Sequence, residues 1–220
     1  ELNNEEEKKL LIIKEMEIPV LSNLEWCEIF LQRIPPKIIE EELHRKKILY
    51  PKFNIIDYRI KKISEFFLSL LLIIIFSPIM LLAGILIYLE DKGSIFYSQI
   101  RSGIYGKKIK IYKLRTMKIN AEEDGIQWSS KNDKRITKIG YILRKTRIDE
   151  IPQLISVLSG EMSLIGPRPE RPEIDDELIK NIPGYKNRYN ILPGISGWAQ
   201  VNYPYGSSIK DSFNKLSYDF

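Results

Sequence analysis

Asp149 and Glu150 stand side by side just ahead of Pro152, with Arg144 and Arg147 immediately upstream. Proline is tolerated in the first turn of a helix, so a helix is predicted to begin close to Asp149. The carboxylate pair then lies at the positive end of the helix dipole, beside free backbone N–H groups of the kind that hold phosphate. The two arginines are expected to keep Asp149 ionised and to help bind an anion. An ionised aspartate can attack phosphorus to give an acyl phosphate. Paired carboxylates can also hold Mg²⁺, which takes oxygen ligands and usually shares them with substrate phosphates. The plainer alternative is that Asp149 only caps a helix.

Three further places can meet phosphate or sugar. Lys113 and Arg115 close a predicted strand and share one face by its period of two, so both can point at one anion; a solvated basic strand edge has the same pattern. Arg168 sits between Pro167 and Pro169, which fix the backbone and lower the entropy cost of presenting a guanidinium for bidentate phosphate binding. As a lone motif it is equally a turn with an exposed arginine. The loop Pro193 to Gln200 has Gly194 and Gly197 for close backbone approach. Trp198 and Gln200 there are contacts for a ring or sugar, or packing residues.

The elements that must position these groups follow from composition and pattern. The chain has 220 residues with a single cysteine, Cys27, and a single histidine, His44. That excludes a disulfide framework and a Cys/His zinc site. His44 lies in the charged run Glu40 to Lys47, a solvated helix face, so acid-base or nucleophilic chemistry falls to carboxylates. From Phe66 to Leu89 there is no charged side chain, a stretch long enough to cross a bilayer as a helix. Pro78 inside it removes a backbone donor, and Ser77 can re-satisfy the freed carbonyl, so a kink is predicted there. Arg59, Lys61 and Lys62 precede the apolar block, and eight basic residues with no acidic one fill Lys92 to Lys118. Both flanks favour the cytoplasmic side, which a helix that enters, breaks at Ser77-Pro78 and returns satisfies; a straight crossing, which would put the later half outside, is the alternative.

After the block, Ile95–Ile100 and Ile109–Leu114 read as strands around a Gly103–Gly106 turn. Ile136–Lys145, Pro152–Leu158 and Glu173–Asn181 read as helices, and Pro193–Gly197 as a turn-rich loop. Residues 1–57 read as a separate fragment, either a domain remnant or a stray appendage. It has a charged helix Glu5–Glu15, a strand Ile18–Leu21 and an amphipathic helix Asn23–Gln32 ended by Pro35-Pro36. The chain is expected to be a piece of a longer protein.

In this order the motifs resemble the bacterial sugar transferases that prime polysaccharide and glycan synthesis, the monotopic polyprenyl-phosphate phosphoglycosyl transferases. The resemblance runs from Lys61 to Asn202. It takes in Ser77-Pro78, then Gln99, Arg101 and Gly103, then Lys113 to Met117, then Asp133, Arg135, Thr137 and Gly140. Arg144 to Leu154, Met162 to Pro169 and Pro193 to Asn202 complete it.

The resemblance implies an α+β fold, with a re-entrant membrane helix at about residues 63–90 packed on a small mixed cytoplasmic domain of short strands and amphipathic helices. Residues 58–220 would be the catalytic domain, its C-terminal tail truncated. Residues 1–57 would be the remnant of a nucleotide-fold-like domain plus linker. It further implies an Mg²⁺-dependent reaction at the cytoplasmic face of the bacterial inner membrane. Asp149 would attack the sugar-proximal phosphate of a UDP-sugar and release UMP, and undecaprenyl (polyprenyl) phosphate would then take the phosphosugar. Glu150 would handle a proton or position the lipid phosphate, Asp149 would also serve the metal, and Lys113, Arg115, Arg144, Arg168 and Gln200 would surround the substrate. A homo-oligomer is left open. Where the family often has a small or apolar residue, this chain has Arg147. A membrane-anchored basic scaffold without catalysis is the alternative. A nucleic-acid partner is disfavoured, because no aromatic stacking platform accompanies the basic run.

Overall fold

The computed structural model describes residues 4–16, 20–44, 54–121, 133–204, 206 and 208–219. Its architecture is α+β: helices dominate, and the strands form two small two-stranded sheets. After the short helices α1 (Asn4–Glu15), α2 (Asn23–Trp26) and α3 (Pro36–His44) comes α4, Ile55–Asp91, with 37 residues. At about 1.5 Å per residue this helix is roughly 55 Å long, well beyond the roughly 30 Å of a bilayer's hydrocarbon core. The Asn54 side chain caps its start by accepting the Ile56 N–H at 3.2 Å. Only 17% of its most apolar stretch is buried, the reverse of a soluble core helix.

The break expected at Ser77-Pro78 does not interrupt the helix: α4 runs through Pro78 as a single helical element. The missing Pro78 N–H leaves the Ile74 carbonyl open, and the Ser77 hydroxyl donates to that same carbonyl at 2.8 Å. Both shoulders of the helix are tied to the same body. Near its start, Glu65 accepts the Ser163 hydroxyl at 2.6 Å, and Lys61 reaches the Ile165 carbonyl at 3.4 Å. Near its end, Ala83 and Ile87 pack with Leu114 and Leu143, and Glu90 accepts the Lys138 N–H at 2.9 Å.

Strands β1 (Phe96–Ser102) and β2 (Lys108–Leu114) pair antiparallel from Phe96 opposite Leu114 to Ser102 opposite Lys108. Ile109 and Ile111 of β2 point inward to a second core patch with Val157 and Met162. Helix α5 (Lys138–Thr146) starts where the Thr137 hydroxyl accepts the Gly140 N–H at 2.9 Å. Gly140 is required there, because a Cβ would stand 2.1 Å from the Thr116 carbonyl oxygen. A 3-10 turn, Ile148–Gln153, leads into α6 (Leu154–Leu158), and Gly160, at φ +77°, turns the chain away.

Next come β3 (Ser163–Ile165), α7 (Pro172–Asn181), β4 (Gly194–Ser196), α8 (Trp198–Asn202) and α9 (Ile209–Leu216). The turn-rich loop expected at Pro193–Gly197 is in part a strand: β4 pairs parallel with β3. Three glycines make the crossing possible. A Cβ on Gly194 would lie 2.1 Å from the Gly166 nitrogen, and one on Gly197 would lie 2.3 Å from the Gly166 oxygen.

The upstream residues depart from a separate fragment. Helix α1 lies where expected, and α2 continues into a π-turn, Cys27–Leu31, that ends at Gln32 in the left-handed region. Of the predicted strand Ile18–Leu21, Val20 and Leu21 lie in no strand, and Ile18 and Pro19 lie outside the described residues. Ile34 is 2% exposed and Ile39 0%, and the Ile34 N–H donates to the Ser217 carbonyl at 2.8 Å. Helix α3 therefore packs on α9, because its apolar face finds cover there.

Candidate active site

The Asp-Glu pair sits in the first turn of the 3-10 segment, close to where the sequence places a helix start. The chain reaches it through Arg147, a non-glycine residue at φ +60°, a sparsely populated conformation that reverses the direction after α5. Both carboxylates are buried, Asp149 at 6% exposure and Glu150 at 7%. Their surroundings differ sharply.

Glu150 is fully engaged. Its Oε1 accepts from Lys113 Nζ and from Arg168 Nη2, both at 2.8 Å, while Arg147 Nη1 stands 3.5 Å from Oε2. Burial alone would raise its pKa; Arg168 and Lys113 overturn that and hold Glu150 well below the usual carboxylate range. Asp149 carries a buried Oδ1 with no hydrogen-bond partner. Its pKa is raised, first by burial and then by the Glu150 charge, and Lys113, Arg144 and Arg147 only partly offset this. The two arginines pull toward the ionised form as expected, while burial and the Glu150 charge push further the other way.

Lys113 continues the inward face of Ile109 and Ile111, which brings its ammonium to Glu150. Burial, reinforced by repulsion from Arg168 across the shared oxygen, lowers its pKa to about 8. Arg115 does not converge on the same point. Its guanidinium clamps the end of α4, with Nη1 on Asp91 at 2.6 Å and Nε on the Ser94 carbonyl at 2.6 Å. Strand periodicity gave the correct face for Lys113, but it could not see that a carboxylate at the helix end would claim Arg115. Arg144 donates through Nε to the Thr116 hydroxyl at 2.9 Å and acts on Asp149 by its charge.

Arg168 joins the two halves of the site, with Nη2 on Glu150 and Nη1 on Gln200 Oε1 at 3.1 Å. The amide nitrogen of Gln200 is buried and has no acceptor. The backbone around Arg168 is held one carbonyl at a time. Pro167 O takes the Gly194 N–H at 2.9 Å, and Arg168 O takes Arg188 Nη2 at 2.9 Å. Pro169 O takes Arg101 Nη1 at 3.2 Å, and Glu170 O takes the Ser102 N–H at 2.9 Å. Four successive anchored carbonyls make this a preorganised arginine. In the sequence Arg101 stands out only within the basic run Lys92–Lys118 and the family pattern, and no motif singles out Arg188. A lone arginine between Tyr185 and Tyr189 was the only available hint.

Among the described residues no cluster of three or more metal-type side chains occurs. Mg²⁺ keeps several waters and substrate oxygens, so one or two carboxylates suffice. The unpartnered Asp149 Oδ1 fits as such a donor.

The match to known proteins covers these same residues. The family model described as Bacterial sugar transferase matches residues 56–220. A UDP-N-acetylgalactosamine-undecaprenyl-phosphate N-acetylgalactosaminephosphotransferase of Aeromonas hydrophila is 42% identical over 161 residues, 73% of this chain and 38% of that protein. A putative undecaprenyl-phosphate N-acetylgalactosaminyl 1-phosphate transferase of Bacillus subtilis is 47% identical over 129 residues, 59% of this chain and 72% of that protein. The UDP-glucose:undecaprenyl-phosphate glucose-1-phosphate transferase of Escherichia coli is 37% identical over 143 residues, 65% of this chain and 31% of that protein. The aligned segment thus spans well under half of the Aeromonas and Escherichia relatives. With three quarters of its length inside the family match, the chain belongs to the bacterial sugar transferase family.

Proposed function

We propose that this chain transfers a sugar 1-phosphate from a UDP-sugar to undecaprenyl phosphate through an aspartyl-phosphosugar intermediate, releasing UMP. The observation that carries the reading is the asymmetry of the pair: Glu150 saturated by cations, Asp149 with a buried, unpartnered oxygen. An aspartate oxygen with no hydrogen bond to break is poised for attack on the sugar-bearing phosphorus. The P–O bond to UMP breaks as the acyl phosphate forms. A lipid phosphate oxygen then attacks the same phosphorus and restores the Asp149 carboxylate.

Arg168 and Lys113 face the developing phosphate charge from a fixed scaffold. Glu150 is a poor proton acceptor in this setting, and its contacts give it another task than either family-implied role: it holds Arg168 and Lys113 in place. Gln200 has a free amide donor for the substrate. Mg²⁺ held at Asp149 would offset the charge of the donor diphosphate. Attachment of both shoulders of α4 to one body supports a re-entrant anchor, with the site at the cytoplasmic face of the inner membrane.

The direct test is UMP release across a UDP-sugar panel, including the glucose and N-acetylgalactosamine donors, with undecaprenyl phosphate in detergent. Release with at least one donor is expected. Lipid binding without release from any donor would leave a scaffold module instead. Lys113 gives a pH signature: it is a cation below about 8 and neutral above, so kcat/KM should fall as pH rises through that value. Lys113→Arg keeps its charge, and the alkaline limb should shift upward in a pH–rate profile.

A further inference from the structure

Arg168 is steadied from two sides, and both supports lead to the same distant element. On one side, Gln200 belongs to α8, which opens at Trp198, and the Trp198 indole N–H donates to the Gln32 carbonyl at 2.8 Å. On the other, Arg188 holds the Arg168 carbonyl and is itself paired with Asp219 at 3.1 Å, with its guanidinium 4.9 Å from the Tyr185 ring centre. Asp219 closes the turn Ser217–Tyr218–Asp219. Ser217 O accepts the Ile34 N–H at 2.8 Å, and the Tyr218 hydroxyl accepts from Arg33 Nη1 at 3.0 Å. Arg33 also stacks over the Tyr218 ring at 5.5 Å. The buried Ile34 and Ile39 make this seat an apolar one.

Gln32, Arg33 and Ile34 are consecutive, so one stretch of backbone touches both relays. We propose that the upstream segment Gln32–His44 is a positioning element for the active site, setting Arg168 through Trp198–Gln200 on one side and Asp219–Arg188 on the other. This rests on the reading of Arg168 as a ligand of the donor phosphates. A segment that merely covered apolar surface would need Ile34 and Ile39 alone. Here the polar contacts fall on residues that sit one or two positions from Gln200, which holds Arg168, and from Asp219, which holds Arg188. Whatever moves this segment moves the phosphate clamp, and occupancy of the clamp biases the segment by the same factor.

The test uses the full chain in detergent with UDP as probe, since it carries the donor's diphosphate without the sugar. Trp198→Phe keeps the ring and removes the N–H, and Arg33→Ala removes the Tyr218 contact; both contacts lie at the surface. The double variant is expected to weaken UDP binding by about fivefold to tenfold, the lower end of ordinary coupling between sites. In an Arg168→Ala background the same pair should cause no further loss, with melting temperatures recorded alongside to separate unfolding. An equal loss in both backgrounds, or none in the parent, overturns the positioning role. If Arg168→Ala alone leaves UDP affinity unchanged, the failure lies with the reading of the site instead, and the proposal falls with it.

Discussion

Asp149→Asn is expected to lower UMP release by at least about 10⁴-fold, the scale of losing a covalent nucleophile, while the protein stays folded. The two effects separate for a physical reason. The buried Oδ1 of Asp149 makes no hydrogen bond, so an amide in its place breaks none. Its folded pKa lies above the ordinary 3.8, so the fold prefers the neutral carboxyl. The resulting penalty is absent below the unfolded pKa and fully present above the folded one. The asparagine is neutral at every pH, so its melting temperature should equal or exceed the parent's. Incubation with labelled donor followed by mass spectrometry should show phosphosugar on residue 149 of the parent and none on the variant. Product formation by the variant would end the nucleophile assignment.

Glu150→Ala should lower stability as well as turnover. Removing this carboxylate leaves the half-buried Lys113 without its acceptor, while Arg168, 35% exposed, keeps only Gln200. A fully buried pair broken from one side costs about 3–5 kcal/mol; with both cations part-exposed the expected loss is about 1–3 kcal/mol, to be read as a lower denaturation midpoint in detergent. Glu150→Gln keeps an acceptor and should lose less. The sign with pH follows from the depressed pKa: the stabilisation is present above the unfolded value near 4.5 and fades as pH falls toward the folded one. The parent should therefore lose stability in acid through this group, a dependence absent from the alanine variant. Equal midpoints for parent and variant at neutral pH would show that the cations find other partners.

What was legible in the sequence was local. The charge-free run fixed α4, the alternation at Ile109 and Ile111 gave β2, and Pro152 marked the turn that carries Asp149 and Glu150. What was hidden depended on contacts far along the chain. Asp91 claims Arg115 from 24 residues away, Glu90 caps α5 from 48, and Arg188 reaches the Arg168 carbonyl from 20. Periodicity reports which face a residue occupies but not which partner reaches it first. The β3–β4 pairing was missed for a related reason. Its strands have three residues each, too short for any alternation to show, and only their glycines betray the close crossing.

The two-ended attachment of α4 carries one more consequence. A hydrophobic rod fastened at a single point lets its cargo swing and bob like a moored float. This one is bolted through Lys61 and Glu65 at one shoulder and Glu90 and Asp91 at the other. On the proposed membrane seating, the height of Asp149 above the lipid plane would be a property of the fold, not of a swivelling stalk. The proposed long-tailed acceptor would then have to bring its head group to that fixed altitude.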